Sequence, residues 1–382
     1  MNILKYILSI ALIVPMALNA SNLAAVNAKI KEIKTQYAPD SRQAIWEINA
    51  TVDGDAILLK GKTTEEVAYQ KLINELGNEK ISYIDSIEIY PSEKWGLVRI
   101  SVAHLRGKPS HSAEIVSQAI MGTPLRLLEK IGEWWRVQTP DGYIAYMIGN
   151  SFAQKTLAEI KEWKKANRMV VTSLEQIKVY SSSDKNGYKD IVTDLVNGCI
   201  VVCEKMHDSK IQIVLPDGRK AWGDASSFEN ISNWADQKFT PEKIIETGYS
   251  MMGIPYLWGG MSTKSLDCSG FARVCYFANG YILMRDASQQ ALTGSRIEAS
   301  DWKTCEMGDL LFFGNAKTRK VTHVAIYESD GWYLHSSGRV KRNSVNPNSE
   351  GYLSTPFLHA VRIAGKEGTK GITKVINHSW YF

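Results

Sequence analysis

From Tyr6 through Leu18 the chain is almost continuously apolar (YILSIALIVPMAL), with Lys5 before the run and Asn19-Ala20 and the polar Ser21 after it. A positive start, a short apolar core and a small residue at the exit are the marks of a secretory signal. The run is shorter than the roughly 20 residues that span a bilayer. A signal peptide over residues 1–20 and an exported protein are therefore expected, with no integral membrane span once the signal is removed. Leu18 stands where a small residue is usual, so the cleavage position stays open. No cysteine lies near it, which argues against a lipid anchor.

Residues 21–95 then read as a small α+β unit. A polar helix over about 21–37 precedes two strand-like runs, AIWEINATV and AILLKGKT. Thr63 with Glu66 three positions on makes a capping-box signature, and Ala68, Leu72 and Leu76 recur on one helical face. From 96 to 165 the period shortens to strands and turns, including TPLRLLEKIGEWWRVQTPDGYIAYM. A similar order recurs over 166–237, in CIVVCEKM and IQIVLPDGRKAWGD. Asp141-Gly142 and Asp217-Gly218 each fall between alternating runs, as hairpin turns do. Two successive units with the same strand, Pro-Asp-Gly, strand, aromatic ending predict duplicated small barrels. At Thr240-Pro241 the pattern returns to a helix start, and 238–382 read as an α+β domain.

Composition narrows the function. At 382 residues the chain is long enough for three or four domains. The net charge of +5 is spread over 45 basic and 40 acidic residues without a cluster, so no nucleic-acid partner is expected. Five cysteines in an exported chain raise the question of disulfides. Cys199 and Cys203 flank a strand-like run that would hold them roughly 13 Å apart, too far for a bond. No Cys/His spacing suggests zinc, and neither metal nor cofactor is expected. The odd count leaves a free thiol, and Cys268 is the candidate.

Cys268 follows Tyr256-Leu257-Trp258-Gly259-Gly260 and Leu266-Asp267, and opens a helix-compatible run, FARVCYFA, after Ser269-Gly270. Asp267 is a suitable N-cap. A thiol in the first helical turn faces the positive end of the helix dipole, which lowers its pKa and favours the thiolate. The base a thiol peptidase needs is offered by a hairpin, VTHVAIYE then WYLHSS. If 329–331 form its loop, Glu328 pairs with Trp332. His323 and His335 then lie on one face as diagonal neighbours, about 7–8 Å apart at the backbone. A register shift of one residue would separate them. Such a pair permits a Cys-His-His arrangement, with His323 moving the proton and His335 holding its tautomer.

The pieces YLWGG, LDCSGF, RDASQQ, GDLLFF, THVAIY and WYLHSSG occur in this order over 240–364. In them the chain resembles the NlpC family of cell-wall cysteine peptidases. Met307 departs from the family's proline before Gly308, which touches a turn and not the mechanism. The resemblance implies a papain-like fold, with Cys268 as nucleophile, His323 as base and His335 as third member. The preceding repeats resemble bacterial SH3-like domains, and residues 21–95 loosely resemble BON-type modules. The expected architecture is thus multidomain α+β: a papain-like α+β peptidase domain after two SH3-like β-barrels and an N-terminal α+β unit.

The domain order is similar to the branch that cleaves γ-D-glutamyl bonds to a diamino acid in short peptidoglycan stem peptides, releasing L-Ala-D-Glu. In that branch the first barrel closes one end of the cleft, so that only a free N-terminal L-alanine fits. The resemblance places Glu114, Tyr143, Asp267 and Ser269 near that amine, Arg285 and Ser288 in the cleft near a substrate carboxylate, and Tyr256 beside Cys268. A carboxylate in a closed pocket pairs with an ammonium and rejects an acylated chain. Two other readings are weighed: a wall-binding protein with a retired catalytic domain, and an acyltransferase on the same scaffold.

Overall fold

The computed structural model describes the backbone of residues 4–90, 94–184 and 187–382. Side chains are described from residue 21 onward within those ranges, Asp184 and Tyr188 excepted. The protein is multidomain and mostly β with some helices, in two compact units, Met1–Ser92 and Glu93–Phe382.

In the first unit, strand Trp46–Asp53 runs antiparallel to Ala56–Thr63, which pairs in parallel with Tyr83–Ile89. A parallel pair needs a crossover, and the Glu66–Asn78 helix supplies it. Ala68, Leu72 and Leu76 of that helix pack with Val26, Ile33, Trp46 and Leu59, as their spacing predicts. Two expectations are corrected. The first helix runs continuously over Leu4–Tyr37 and so takes in the apolar run. Among the described residues no helix is long and apolar enough to cross a membrane. Thr63 does not cap the second helix; it ends a strand, where its hydroxyl donates to the Ile45 carbonyl and accepts from the Glu65 N–H. A cross-strand partner has claimed the hydroxyl, and the helix starts at Glu66 with no side-chain cap.

The second unit begins with two seven-stranded antiparallel sheets. Numbering strands within each from first to seventh, both have the spatial order 7-1-4-5-6-2-3. The duplication visible in the sequence is therefore a duplication of topology. Thr139-Pro140-Asp141-Gly142 and Leu215-Pro216-Asp217-Gly218 make the same turn, the glycine N–H donating to the first carbonyl with the glycine at positive φ. Proline suits the second position of such a turn and glycine its left-handed end. Each sheet has its own core, around Leu105, Leu127, Trp135 and Phe152 in the first and Val179, Val201, Ile213 and Phe228 in the second.

The last domain is built on six antiparallel strands, in the order Ser295–Glu298, Phe357–Arg362, Leu310–Gly314, Val321–Tyr327, Trp332–Ser337, Arg339–Ser344. The Cys268–Phe277 helix buries Phe271, Ala272 and Cys275 against Leu310, Phe312, Val324 and Leu334. Two ties hold the first barrel to this helix and to the chain end. Arg273 on the helix pairs with Asp141 at 3.0 Å, and the His378 Nε2–H donates to the Pro140 carbonyl at 2.8 Å. All five cysteines are free and buried.

Candidate active site

The turn before Cys268 is shaped by close backbone approaches. Gly259 has φ +78°, and a Cβ there would lie 2.3 Å from the Ile115 carbonyl oxygen in the first barrel. A Cβ on Gly270 would meet the Gly260 carbonyl oxygen at 2.0 Å. Both positions therefore require glycine. Asp267 caps the helix as expected, one carboxylate oxygen accepting from the Gly270 N–H at 2.6 Å and the other from the Gly259 N–H at 3.0 Å. The same carboxylate receives Arg285, whose Nη2 donates at 2.5 Å. Arg285 also donates to the Ser269 hydroxyl (2.8 Å) and, through Nε, to the Ser117 hydroxyl of the first barrel (3.0 Å). Only 1% of Arg285 is exposed, so its guanidinium is directed at protein acceptors and the carboxylate it holds is Asp267.

The hairpin register is the one the sequence predicts. Tyr327 pairs with Tyr333, Glu328 donates its N–H to the Trp332 carbonyl, and the loop is 329–331. Beyond Ile326↔Leu334 the two strands part. The turn before Cys268 lies at this parting: the Ser336 hydroxyl donates to the Leu266 carbonyl at 2.9 Å, and the Val324 N–H points at the Cys268 thiol. His323 Nε2 and His335 Nδ1 are 2.7 Å apart, with rings nearly perpendicular. His335 Nε2 in turn lies 2.9 Å from the Asn343 amide oxygen.

Electrostatics make the resting pair neutral. Burial pushes the Cys268 thiol up to about 11, and the Asp267 carboxylate adds to this; the Val324 and Ser269 N–H groups pull the other way. This corrects the expectation of a thiolate favoured by the helix dipole, because desolvation of the charged form outweighs the helix end. Burial likewise holds both imidazoles well below the usual histidine range, with Lys341 lowering each further. With thiol and imidazole both neutral at rest, the thiol can give up its proton only as attack proceeds, which is general-base chemistry. Iodoacetamide inactivation at Cys268 is therefore expected to accelerate about tenfold per pH unit between pH 7 and 10. A rate already at its plateau near pH 6 would instead reveal a standing thiolate–imidazolium pair.

Asp267, Ser269 and Arg285 are bonded to one another around Cys268, and His323 is bonded to His335; the Val324 N–H at the Cys268 thiol and the charge of Asp267 acting on His323 relate the two groups. Tyr256 joins the first: its backbone bridges to Leu266, and burial, with Asp267 and Cys268 near it, pushes its hydroxyl pKa up. Tyr143 is buried in the first barrel's core and acts electrostatically on Arg285. Glu114 is exposed, one residue from the Ile115 backbone that meets Gly259. Ser288 is exposed in the short Ala287–Gln290 helix. Two residues bonded to these groups were not foreseen, Ser117 and Asn343. For Asn343 a signal existed: Ser337-Gly338-Arg339 reads as a second tight hairpin, which puts Asn343 diagonal to His335 on the same face. Ser117 had none, because its neighbour Arg285 is 168 residues away.

Comparison with known proteins agrees with this geometry. A family model described as the NlpC/P60 family matches residues 253–362, and one described as the bacterial dipeptidyl-peptidase Sh3 domain matches 105–150. A γ-D-glutamyl-L-lysine dipeptidyl-peptidase of Bacillus subtilis (strain 168) is 31% identical over 231 residues, covering 58% of this chain and 72% of that protein. Dipeptidyl-peptidase 6 of Lysinibacillus sphaericus is 26% identical over 264 residues, covering 66% of this chain and 90% of the relative. Among solved structures, an NlpC/P60 family protein from Bacillus cereus ATCC 10987 has a TM-score of 0.59 at 22% identity. It covers 70% of this chain and 99% of that one, a likeness of fold. The chain belongs to the NlpC/P60 family and is a cysteine peptidase, with a bacterial dipeptidyl-peptidase SH3 domain ahead of its catalytic domain.

Proposed function

We propose that the enzyme hydrolyses the γ-D-glutamyl bond to a diamino acid in peptidoglycan stem peptides, releasing L-Ala-D-Glu from those with a free N-terminal L-alanine. Cys268 Sγ attacks the γ-glutamyl carbonyl carbon while His323 Nδ1 takes the thiol proton. The proton then passes to the leaving amine, and a thioester remains. Water, deprotonated by the same Nδ1, attacks the thioester; the C–S bond breaks, the acid leaves, and the proton returns from Nδ1 to the Cys268 sulfur. His335 holds His323 in position, and the Cys268 backbone N–H, with Tyr256 beside it, meets the oxyanion. The observation that carries this reading is a cysteine at a capped helix start that the Val324 N–H meets, while His323, the residue before Val324, has its Nε2 tied to a second imidazole. The substrate class follows the Bacillus subtilis relative named above as a γ-D-glutamyl-L-lysine dipeptidyl-peptidase.

In this proposal Asp267, Ser269, Glu114 and Tyr143 line the amine end of the cleft, where the first barrel's Ile115 backbone packs on Gly259. Arg285 serves that end by fixing Asp267, and Ser288 lies toward the substrate's carboxylate. The second seven-stranded sheet is read as a further SH3-like barrel, residues 21–95 as an accessory unit, and residues 1–20 as an export signal that delivers the enzyme to the cell envelope. Defined stem peptides with free and with lactyl-blocked alanine, digested and weighed by mass spectrometry, test the substrate. The free peptide is expected to yield L-Ala-D-Glu at least about tenfold faster, because blocking removes the ammonium that Glu114 and Asp267 attract and adds bulk at the end the first barrel closes. Equal cleavage of both would remove the amine-pocket assignment.

A further inference from the structure

We infer that Asn343 is a positioning residue: its side-chain amide, held by the Gly351 carbonyl, sets the tautomers of both imidazoles so that His323 keeps a bare Nδ1 for the Cys268 proton. The inference rests on the reading of Cys268 and His323 as nucleophile and base.

The argument runs outward from one unambiguous acceptor. Asn343 Nδ2 donates to the Gly351 carbonyl at 3.0 Å. A carbonyl can only accept, so the amide cannot be reversed, and its oxygen is the atom 2.9 Å from His335 Nε2. An amide oxygen also only accepts, so His335 Nε2 carries a hydrogen. With His335 neutral, its Nδ1 is a lone pair, and the 2.7 Å contact is a donation from the His323 Nε2–H. His323 is neutral too, which leaves its Nδ1 unprotonated. Reversing the amide would reverse every tautomer in the row and present an N–H to the thiol.

The anchor itself is built to stay in place. The Gly351 carbonyl accepts a second hydrogen bond, from the Ser344 N–H at 2.8 Å. Trp332 closes over Gly351, where a Cβ would come within 2.2 Å of the indole. Arg342 stacks on that indole at 4.0 Å. The charged and titratable groups acting on the imidazole row are Lys341, which disfavours a second proton on either ring, and Asp267, which acts on His323. The Tyr333 ring lies edge-on to His335, with centroids 5.1 Å apart. Burial, with Lys341, keeps His335 neutral although the Asn343 amide oxygen favours the protonated ring; a carboxylate there would favour it far more and change which ring holds the proton.

The full chain carrying Asn343→Ala or Asn343→Asp tests this, with Cys268→Ala alongside. Loss of one acceptor is expected to lower kcat on the cleaved stem peptide about tenfold in Asn343→Ala, with KM changed less than about twofold. Asn343→Asp, of the same size, is expected to move the acid limb of kcat/KM upward by about one pH unit. In imidazole 15N spectra of the unsubstituted protein, Nδ1 of both His323 and His335 should be unprotonated; Asn343→Ala should mix the tautomers. Wild-type kcat in Asn343→Ala overturns the inference, as does a loss of activity with tautomers and acid limb both unmoved, the signature of a merely structural role. Should Asn343→Ala fail to fold, Asn343→Asp and the spectra decide alone. Retained cleavage in Cys268→Ala would remove the catalytic reading itself, a failure distinct from that of the tautomers.

Discussion

Alanine at Cys268 is expected to cut the rate of L-Ala-D-Glu release by at least about 10³-fold, and serine there by a comparable factor. Removing the nucleophile leaves only binding and oxyanion contacts, which in triad hydrolases retain about 10³–10⁴ over water out of a far larger total. The surroundings predict little collateral damage. The Asp267 cap, the Arg285 bonds and the apolar packing of Phe271 and Ala272 do not involve the sulfur. Serine is informative for a second reason: it keeps the shape of the turn but offers a hydroxyl too weakly acidic for a neutral imidazole to activate without the rest of a serine-hydrolase site. The measurement is single-turnover release of the dipeptide by mass spectrometry, with thermal unfolding as the control. Turnover within tenfold of the parent enzyme in either variant would sink the assignment of Cys268.

Methionine at Arg285 is expected to destabilise the Glu93–Phe382 unit by about 3–5 kcal/mol, the cost of leaving a buried carboxylate without its cation. Asp267 is only 6% exposed, and with methionine there it would keep two backbone N–H groups and the Ser269 hydroxyl as partners but no counter-charge. The Ser117 hydroxyl, which accepts from Arg285, would lose that donor as well, loosening the first barrel at the turn before Cys268. Denaturant unfolding of the full chain at pH 7 measures this. A change below 1 kcal/mol at pH 7 would show that Arg285 is not the charge that keeps Asp267 in place. Release of L-Ala-D-Glu should fall further than stability explains, because Asp267 sits in the proposed amine pocket.

Much of the site was legible along the chain because its parts are local. Asp267 caps the helix that Cys268 opens, and a cap is read from three or four consecutive residues. The His323/His335 diagonal follows from a three-residue loop and the twofold period of strands, so it needs only one hairpin's register. The paired Pro-Asp-Gly turns and the topology of the two sheets were likewise visible as a repeat. The failures have equally physical causes. Thr63 matched a capping pattern but had a better acceptor across the sheet at Ile45. The thiol's pKa was assigned from the helix end alone, whereas burial against Val324 and the Asp267 charge decide it.

What the sequence determined by itself is the order of chemistry-bearing elements and their local geometry: a cysteine at a helix start, two imidazoles on one β-ribbon, and glycines where backbones must touch. Those features depend on neighbours a few residues apart, where covalent geometry and period leave few choices. Only the tertiary structure decided what each group feels. The Arg285–Ser117 bond joins residues 168 positions apart, the two strands part to admit the turn before Cys268, and Gly351 orients Asn343 from beyond the next strand. Charge state and tautomer depend on desolvation and on acceptors brought in by folding, and no spacing along the chain encodes either.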